Sequence, residues 1–497
     1  MGNSGADGTV VQAMAHFACR MSGDGEDMGQ RADSRRLWHR LRAVSVCASL
    51  SLLVAWSFSA CKDKSELPAS STTPTPTQAL PHVATATGSA LPRESAAPLE
   101  QVSQILREAR APDPVQLDEK SRTRLARSHA TFALSVWRRL VEQQPERNLV
   151  SSPLNLQLAF ALEMATAKAA ARKRIARLLS GDLPPELLEQ GLAAWVNELQ
   201  GAAGELQEQA GLPRPMLRLA NAVWLDSSLK PDSIALDRLQ SRFGAAVRHA
   251  AISLWPAVIT QEINQWVSEA TMGRIPHLID SLSSQDFAVY VSAAYLRAAF
   301  VQPFSAPFLD DFFTTSNQPL RRQFVDNRAR YTIAQERTYQ AVAMELSIPK
   351  TQLVLIMPRA GSLSAFIRTF GLAQWTRLMQ RLSEPGRKVQ LSWPVFEVRQ
   401  RFENARELLG PAAAGELAPT NVFGKRGASQ LVHEATLKAD QKGLEGAAAT
   451  AVSSHIISGS RTAPEPFVIL TFNHPFLYAV VERETGAILF MGQVVLP

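Results

Sequence analysis

The three cysteines of this 497-residue chain, Cys19, Cys47 and Cys61, all fall within its first 61 residues. Whatever folds downstream has no disulfide, no cysteine metal site and no catalytic thiol, and must be held by packing alone. Apolar residues make up 46% of the sequence, enough for one large core, while the length exceeds that of a typical single domain. One folded body with a tail is therefore expected. The formal charge of +7 does not point to nucleic acid, because Lys and Arg are scattered and mostly interleaved with Asp and Glu.

The tail has its own grammar. Arg31, Arg35, Arg36, Arg40 and Arg42 precede an almost uncharged apolar run from Ala43 to Ala60, the order of an export signal. The run ends in Phe58-Ser59-Ala60-Cys61, which resembles a bacterial lipobox: small residues admit the peptidase, and the Cys61 thiol accepts lipid before cleavage. Residues 1–61 are read as a signal or lipoprotein leader, with translation starting at Met1 or at Met14, Met21 or Met28. An uncleaved anchor is the alternative, since eighteen apolar residues just suffice to span a bilayer. Residues 62–114, rich in Pro, Ser, Thr and Ala, read as a disordered tether, and 115–497 as the body. The expected location is exported, as a cell-envelope lipoprotein or extracellular, touching a membrane only through the N-terminal lipid.

Within the body, apolar residues first recur at helical spacing, as in Phe132, Val136 and Leu140, followed by Leu158 and Leu162. Short β-rich runs follow at Leu217 to Leu225, Phe287 to Phe300, Gln352 to Met357, Val389 to Val398 and Phe467 to Leu470. Helical stretches such as Ile259 to Glu269 and Leu363 to Thr369 separate them. This is a mixed α+β pattern without βαβ alternation. No Gly-x-Ser-x-Gly elbow, phosphate loop or His-Glu-x-x-His pair is present, and the nine histidines are dispersed. His433-Glu434 lacks the second histidine of a zinc helix. No catalytic residue, metal or cofactor is assigned, and the basic cluster Lys168, Arg172, Lys173, Arg174 and Arg177 is read as a solvated helix face.

Several separated segments carry a more specific signal. They are Asn148-Leu149-Val150-Ser151-Ser152-Pro153-Leu154, then Leu219-Ala220-Asn221-Ala222-Val223-Trp224, then Ile263-Asn264-Gln265-Trp266-Val267 with Thr271-x-Gly273-Arg274-Ile275. Val432-His433-Glu434-Ala435 comes next, followed by Gly443-Leu444-Glu445-Gly446-Ala447-Ala448-Ala449-Thr450-Ala451-Val452. Asn473-His474-Pro475-Phe476-Leu477 and Gly486-Ala487-Ile488-Leu489-Phe490-Met491-Gly492 close the series. In order and spacing these resemble the motifs of the serpin family, over about Leu117 to Pro497. The resemblance implies three β-sheets surrounded by eight or nine helices, with an exposed reactive-centre loop from about Gly443 to Pro466. It also implies a monomer that inhibits a serine protease as a suicide substrate. The protease cuts the loop, which then enters the main sheet as a new strand and carries the acyl-enzyme with it.

An entering strand needs small side chains with alternate residues facing inward, and Ala447, Ala448, Ala449, Thr450 and Ala451 suit this. Two hinge positions depart from the family. Leu444 stands where threonine is usual, at the inward position that inserts first, so its bulk is expected to slow entry. Gly446 replaces an alanine, and glycine in a forming strand costs backbone entropy. Counting from Gly443 puts the scissile bond at Ile457-Ser458, suited to elastase-like or subtilisin-like enzymes. Counting back from Phe476 favours Arg461-Thr462, suited to trypsin-like ones. The family's polar cluster under the sheet maps to Ser152, Asn155, Ser292 and His433, with serine and asparagine exchanged, and Asn155, Ser292 and His433 are expected to converge. Thr166, Ala169 and Ala298 replace glycines and Phe300 a tryptophan. A non-inhibitory carrier or chaperone-like serpin, or a surface-tethered structural protein, is the alternative.

Overall fold

Helix α1 (Glu119–Gln143) starts where Asp118 accepts the Ser121 N–H at 2.6 Å, and it turns Leu125, Phe132, Val136 and Leu140 inward. Helix α2 (Pro153–Thr166) has proline in its first turn, and all of its residues are buried, so it shows no amphipathic stripe. Helices α3 (Ala169–Ser180), α4 (Pro185–Gly204), α5 (Ser233–Phe243), α6 (Pro256–Ala270), α7 (Leu363–Thr369) and α8 (Leu372–Arg381) complete the eight among the described residues. This computed structural model describes residues 102–204, 206, 214–410, 428–445 and 466–497. The leader, Cys61, residues 446–450 of the hinge and both candidate bonds, Ile457-Ser458 and Arg461-Thr462, lie outside the described residues.

The strands are interspersed with these helices: β1 (Ser103–Arg107), β2 (Leu149–Ser151), β3 (Met216–Asp226), β4 (Ala246–Ala250), β5 (Asp286–Ala299), β6 (Phe308–Phe313), β7 (Pro319–Gln335) and β8 (Tyr339–Glu345). Then come β9 (Thr351–Pro358), β10 (Arg387–Pro394), β11 (Phe396–Phe402), β12 (Ala428–Ala439), β13 (Gly443–Leu444), β14 (Val468–Thr471), β15 (Phe476–Glu482) and β16 (Ile488–Val494), with β5 to β9 running consecutively.

One sheet runs β1-β4-β3-β5-β13-β12-β11. Its central strand β5 is buried on both faces, which is why it reads as a mostly apolar run interrupted only by Ser292 and Arg297 after Asp286. Ala288, Tyr290, Leu296 and Ala298 join the main core, while Val289, Val291 and Ala293 pack under Ile259, Ile263 and Val267 of α6. The other sheet runs β14-β10-β7-β8-β9-β15-β16-β2, with β6 beside β7. Strand β7 pairs with β10 over Phe324–Tyr331 and with β8 over Thr332–Gln335, so one strand serves two lobes. Those two lobes and the first sheet are the three sheets of the expectation.

Two boundaries differ from the sequence reading. The expected tether does not run to residue 114: β1 pairs antiparallel with β4, from Ser103↔Ala250 to Arg107↔Val247. Val102 is buried, Asp113 N–H donates to Ser241 O at 2.7 Å, and Asn197 Nδ2 donates to Pro112 O at 3.0 Å. The short run Val102 to Leu106 was hidden by the composition around it. The second difference is Val389 to Val398, which is two strands in two sheets. Pro394 ends β10, and only Val395 separates it from β11.

A chain starting at Glu108 is expected to keep the fold but lose its outer strand. Hydrogen exchange should then quicken about tenfold or more at β4 amides facing β1, with β15 and β16 unchanged.

Candidate functional site

Strands β5 and β12 run parallel and pair from Asp286↔Ala428 to Val291↔Val432. There the pairing stops. Ser292 and His433 are the first residues past it, and from them to Arg297 and Lys438 neither strand pairs with the other. The split holds a cavity of about 310 Å³ lined by Ala294, Tyr295, Leu296, Thr436, Leu437 and Lys438, with Glu445 at its mouth. The Thr436 hydroxyl is buried in this region without a partner.

The far end of the split is filled by β13. After β12 the chain turns through Asp440–Lys442, and Lys442 O accepts the Phe300 N–H at 3.0 Å. Gly443 then pairs with Ala299, and Leu444 with both Ala298 and Ala439. Leu444 is fully buried in the main core. Gly443 and Leu444, the first two residues of the expected hinge, are thus already seated as a short strand, and the bulk of Leu444 fills core space. Gly443 is required at its position: φ is +154°, and a Cβ would meet Ala298 O at 2.2 Å and Ala299 Cα at 2.7 Å.

Glu445 ends the seated segment. Its φ of 65° is left-handed, a conformation that costs an L-residue about 1–2 kcal/mol. Its N–H donates to Lys438 O at 2.8 Å, and its carboxylate pairs with Arg274 just past α6. The Tyr295 phenol, buried and beside that carboxylate, is pushed up to about 12.

The polar cluster sits at the fork. Asn155 Nδ2 donates to Ser292 O at 2.5 Å, and Ser292 Oγ lies 2.5 Å from Asn155 Oδ1 and 2.7 Å from Asn221 Oδ1. Asn221 Nδ2 is committed to Phe243 O at 3.0 Å. One hydroxyl proton therefore faces two amide oxygens. Asn221 was visible in its motif, but nothing in the sequence gave it a partner.

His433 is not bonded to Asn155 or Ser292. Its partner is Ser152 instead, whose N–H donates to His433 Nε2 at 3.2 Å and whose Oγ donates to Leu489 O at 2.6 Å, a pair of bonds separate from the Asn155–Ser292–Asn221 set. That bond leaves the His433 proton on Nδ1, which is buried without a partner, while the ring stacks on Phe402 at 5.9 Å. Burial lowers the pKa of His433 to about 4.

Other singled-out residues serve packing. Thr166 Oγ1 meets Tyr290 OH at 2.8 Å, and Phe300 lies edge-on to Trp393 at 5.8 Å. Arg172 of the basic cluster is held by Glu186 at 2.6 Å and Glu189 at 2.8 Å, leaving Lys173, Arg174 and Arg177 exposed. No group of His, Cys, Asp and Glu among the described residues could hold a metal ion.

A sheet whose two middle strands are paired at one end and parted at the other, with the first two residues of a long connection seated between them, defines the class of fold. The profile described as "Serpin (serine protease inhibitor)" matches residues 127–497. Serpin A3-1 of Bos taurus is 26% identical over 392 residues, covering 75% of this chain and 89% of that protein. Human thyroxine-binding globulin is also 26% identical, covering 74% and 88%. The crystal structure of tengpin, a thermophilic serpin in its native state, superposes with a TM-score of 0.65 at 20% identity, covering 80% of this chain and all of that one. The chain belongs to the serpin family. Serpins as a family are described as serine protease inhibitors.

Gly443→Ala should unseat β13, costing about 2 kcal/mol or more. The measurements are a lowered unfolding midpoint and faster proteolysis next to Leu444. A second test uses pH. His433 titrates lower folded than unfolded, so its contribution is complete above pH 6.5 and is lost as pH falls towards 4. Over that window the stability difference between wild type and His433→Gln should change by about 1.4 kcal/mol per pH unit.

Proposed function

We propose that this chain is a suicide inhibitor of a serine protease, cut at Ile457-Ser458, and that the split between β5 and β12 is the slot its loop enters. The carrying observation is the register of β13. Because Gly443 opposes Ala299 and Leu444 opposes Ala298, a strand continued antiparallel would set residues 445–450 against 297–292. On the other side, Leu444↔Ala439 continues to Thr450 opposite His433. Six residues would therefore fill the open slot without breaking a single β5–β12 pair.

Going further requires separating the pairs from Val291↔Val432 to Asp286↔Ala428. In the same register residue 456 reaches Asp286, the first residue of β5, and residue 455 reaches Ala428, the first of β12. Ile457 is the next residue along, which supports Ile457 over Arg461 as the residue joined to the protease. A cut at Arg461 would leave five residues, 457–461, beyond the sheet.

The side chains agree with this register. Leu444 faces the core, so Gly446, Ala448, Thr450 and Val452 would follow on that side, small ones first. The Thr450 hydroxyl would arrive between Ser292 and His433, where one buried ring nitrogen has no partner and two amide oxygens compete for one proton. Filling the slot adds hydrogen bonds along both edges at a net of about 1 kcal/mol each, so the inserted state is favoured by on the order of 10 kcal/mol.

The remaining assignments belong to the same reading: an export signal ending at Cys61, a lipid there as the membrane anchor, a tether ending near residue 101, and a monomer on the cell envelope or outside the cell. A non-inhibitory carrier is the second reading, favoured by a relative named as thyroxine-binding.

Incubation with elastase-like, subtilisin-like and trypsin-like enzymes should give a denaturant-stable adduct with a released peptide that begins at Ser458. Thr450→Arg should be cut at the same bond and give no adduct. Clean cleavage of the unmodified chain with no adduct would make it a non-inhibitory serpin.

A further inference from the structure

The face of the second sheet at the foot of the loop carries a surface that the core does not explain. The chain re-enters the described structure at Pro466, and Phe467 and Ile469 are 45% and 70% exposed. Ile469, Gln390 and Arg328 stand side by side across β14, β10 and β7, and Lys388 follows on the next rung opposite Arg330. Residues in such register share a face. The Arg328 guanidinium lies 5.7 Å over the Phe467 ring, and its Nε donates to Gln390 Oε1 at 3.2 Å. Among the described residues no carboxylate pairs with Arg328 or Lys388.

We infer that this face is a docking surface for an acidic patch on the protease that cuts the loop. The inference rests on the reading that a protease engages residues 446–465. From Ser458 to Phe467 is nine residues, at most about 30 Å of extended chain, so an enzyme on either candidate bond is held within reach of this face. A specific complex buries about 800 Å² on each partner, more than one loop segment supplies, so the enzyme must also rest on the body. What the foot of the loop offers it is two cations without carboxylate partners and two exposed apolar side chains, an arrangement complementary to acidic side chains around a small apolar contact. Such a surface chiefly raises the association rate and acts only at low ionic strength.

The test uses the full chain and a pair of trypsin isoforms of opposite net charge, which share the requirement for Arg or Lys and can both cut at Arg461. The readout is kcat/KM for loop cleavage, so a chain that is cut but never traps its protease still tests the surface, and adduct formation is scored separately. A synthetic peptide of residues 446–466 supplies the rates without the body. Relative to that peptide, the full chain should favour the anionic isoform by about tenfold at low salt. The preference should disappear in Arg328→Glu/Lys388→Glu and in 1 M salt. The milder Arg328→Gln/Lys388→Gln pair should remove most of it with the unfolding midpoint unchanged. An isoform preference equal in peptide and full chain, or unaltered in both double variants, would overturn the inference.

Discussion

Everything particular to this molecule follows from where the pairing of β5 with β12 stops. Two strands buried in the middle of a sheet ordinarily satisfy each other along their whole length, because an unmade backbone hydrogen bond costs more than a made one contributes. Here they part after Val291 and Val432, and the backbone edges beyond face a cavity. The fold tolerates this because β13 caps the open end, α2 covers one face with the Asn155 amide, and α6 covers the other. The native state is one in which a strand-sized demand is left unmet.

The polar groups at the fork make its position sharp. Deeper separation would strip Val291 and Val432 from one another, and both are buried against α6. Shallower separation would close Ser292 onto His433 and force the Asn155 amide off the Ser292 carbonyl. Between those limits the cluster is adequate and incompletely paired, since one serine proton faces two oxygens and the His433 Nδ1 has no acceptor. A fully satisfied network would fix the fork more firmly.

Much of this was legible in the residues, and the illegible parts share a cause. Strand β5 showed itself because burial on both faces leaves a mostly apolar run. Strand β7 did not, since its Arg-rich first half alternates between a covered and a wet face and its second half belongs to a different lobe. Strand β1 was submerged in tail composition. At the site, Gly443, Asn155, Ser292 and His433 could be picked out by motif, but their reasons are tertiary. The carbonyl that makes Gly443 obligatory belongs to Ala298, and the cation that holds Glu445 is 171 positions away. The link from His433 runs to a backbone N–H, which no side-chain pattern announces.

The single residue between β10 and β11 has a mechanical meaning. Val395 N–H is fixed to Gln323 O at 2.9 Å, and Phe396 pairs with Ala439, beside the end that β13 already spreads. The β11–β12 pair is therefore hung like a door, with its jamb on the second sheet and its free edge at Ala428. Admitting a strand of about 4.8 Å spacing at that free edge, some eleven residues or about 36 Å from the jamb, asks for a swing of only about 8°. Such a door can open fully while the second sheet, and the foot of the loop that it carries, stand still.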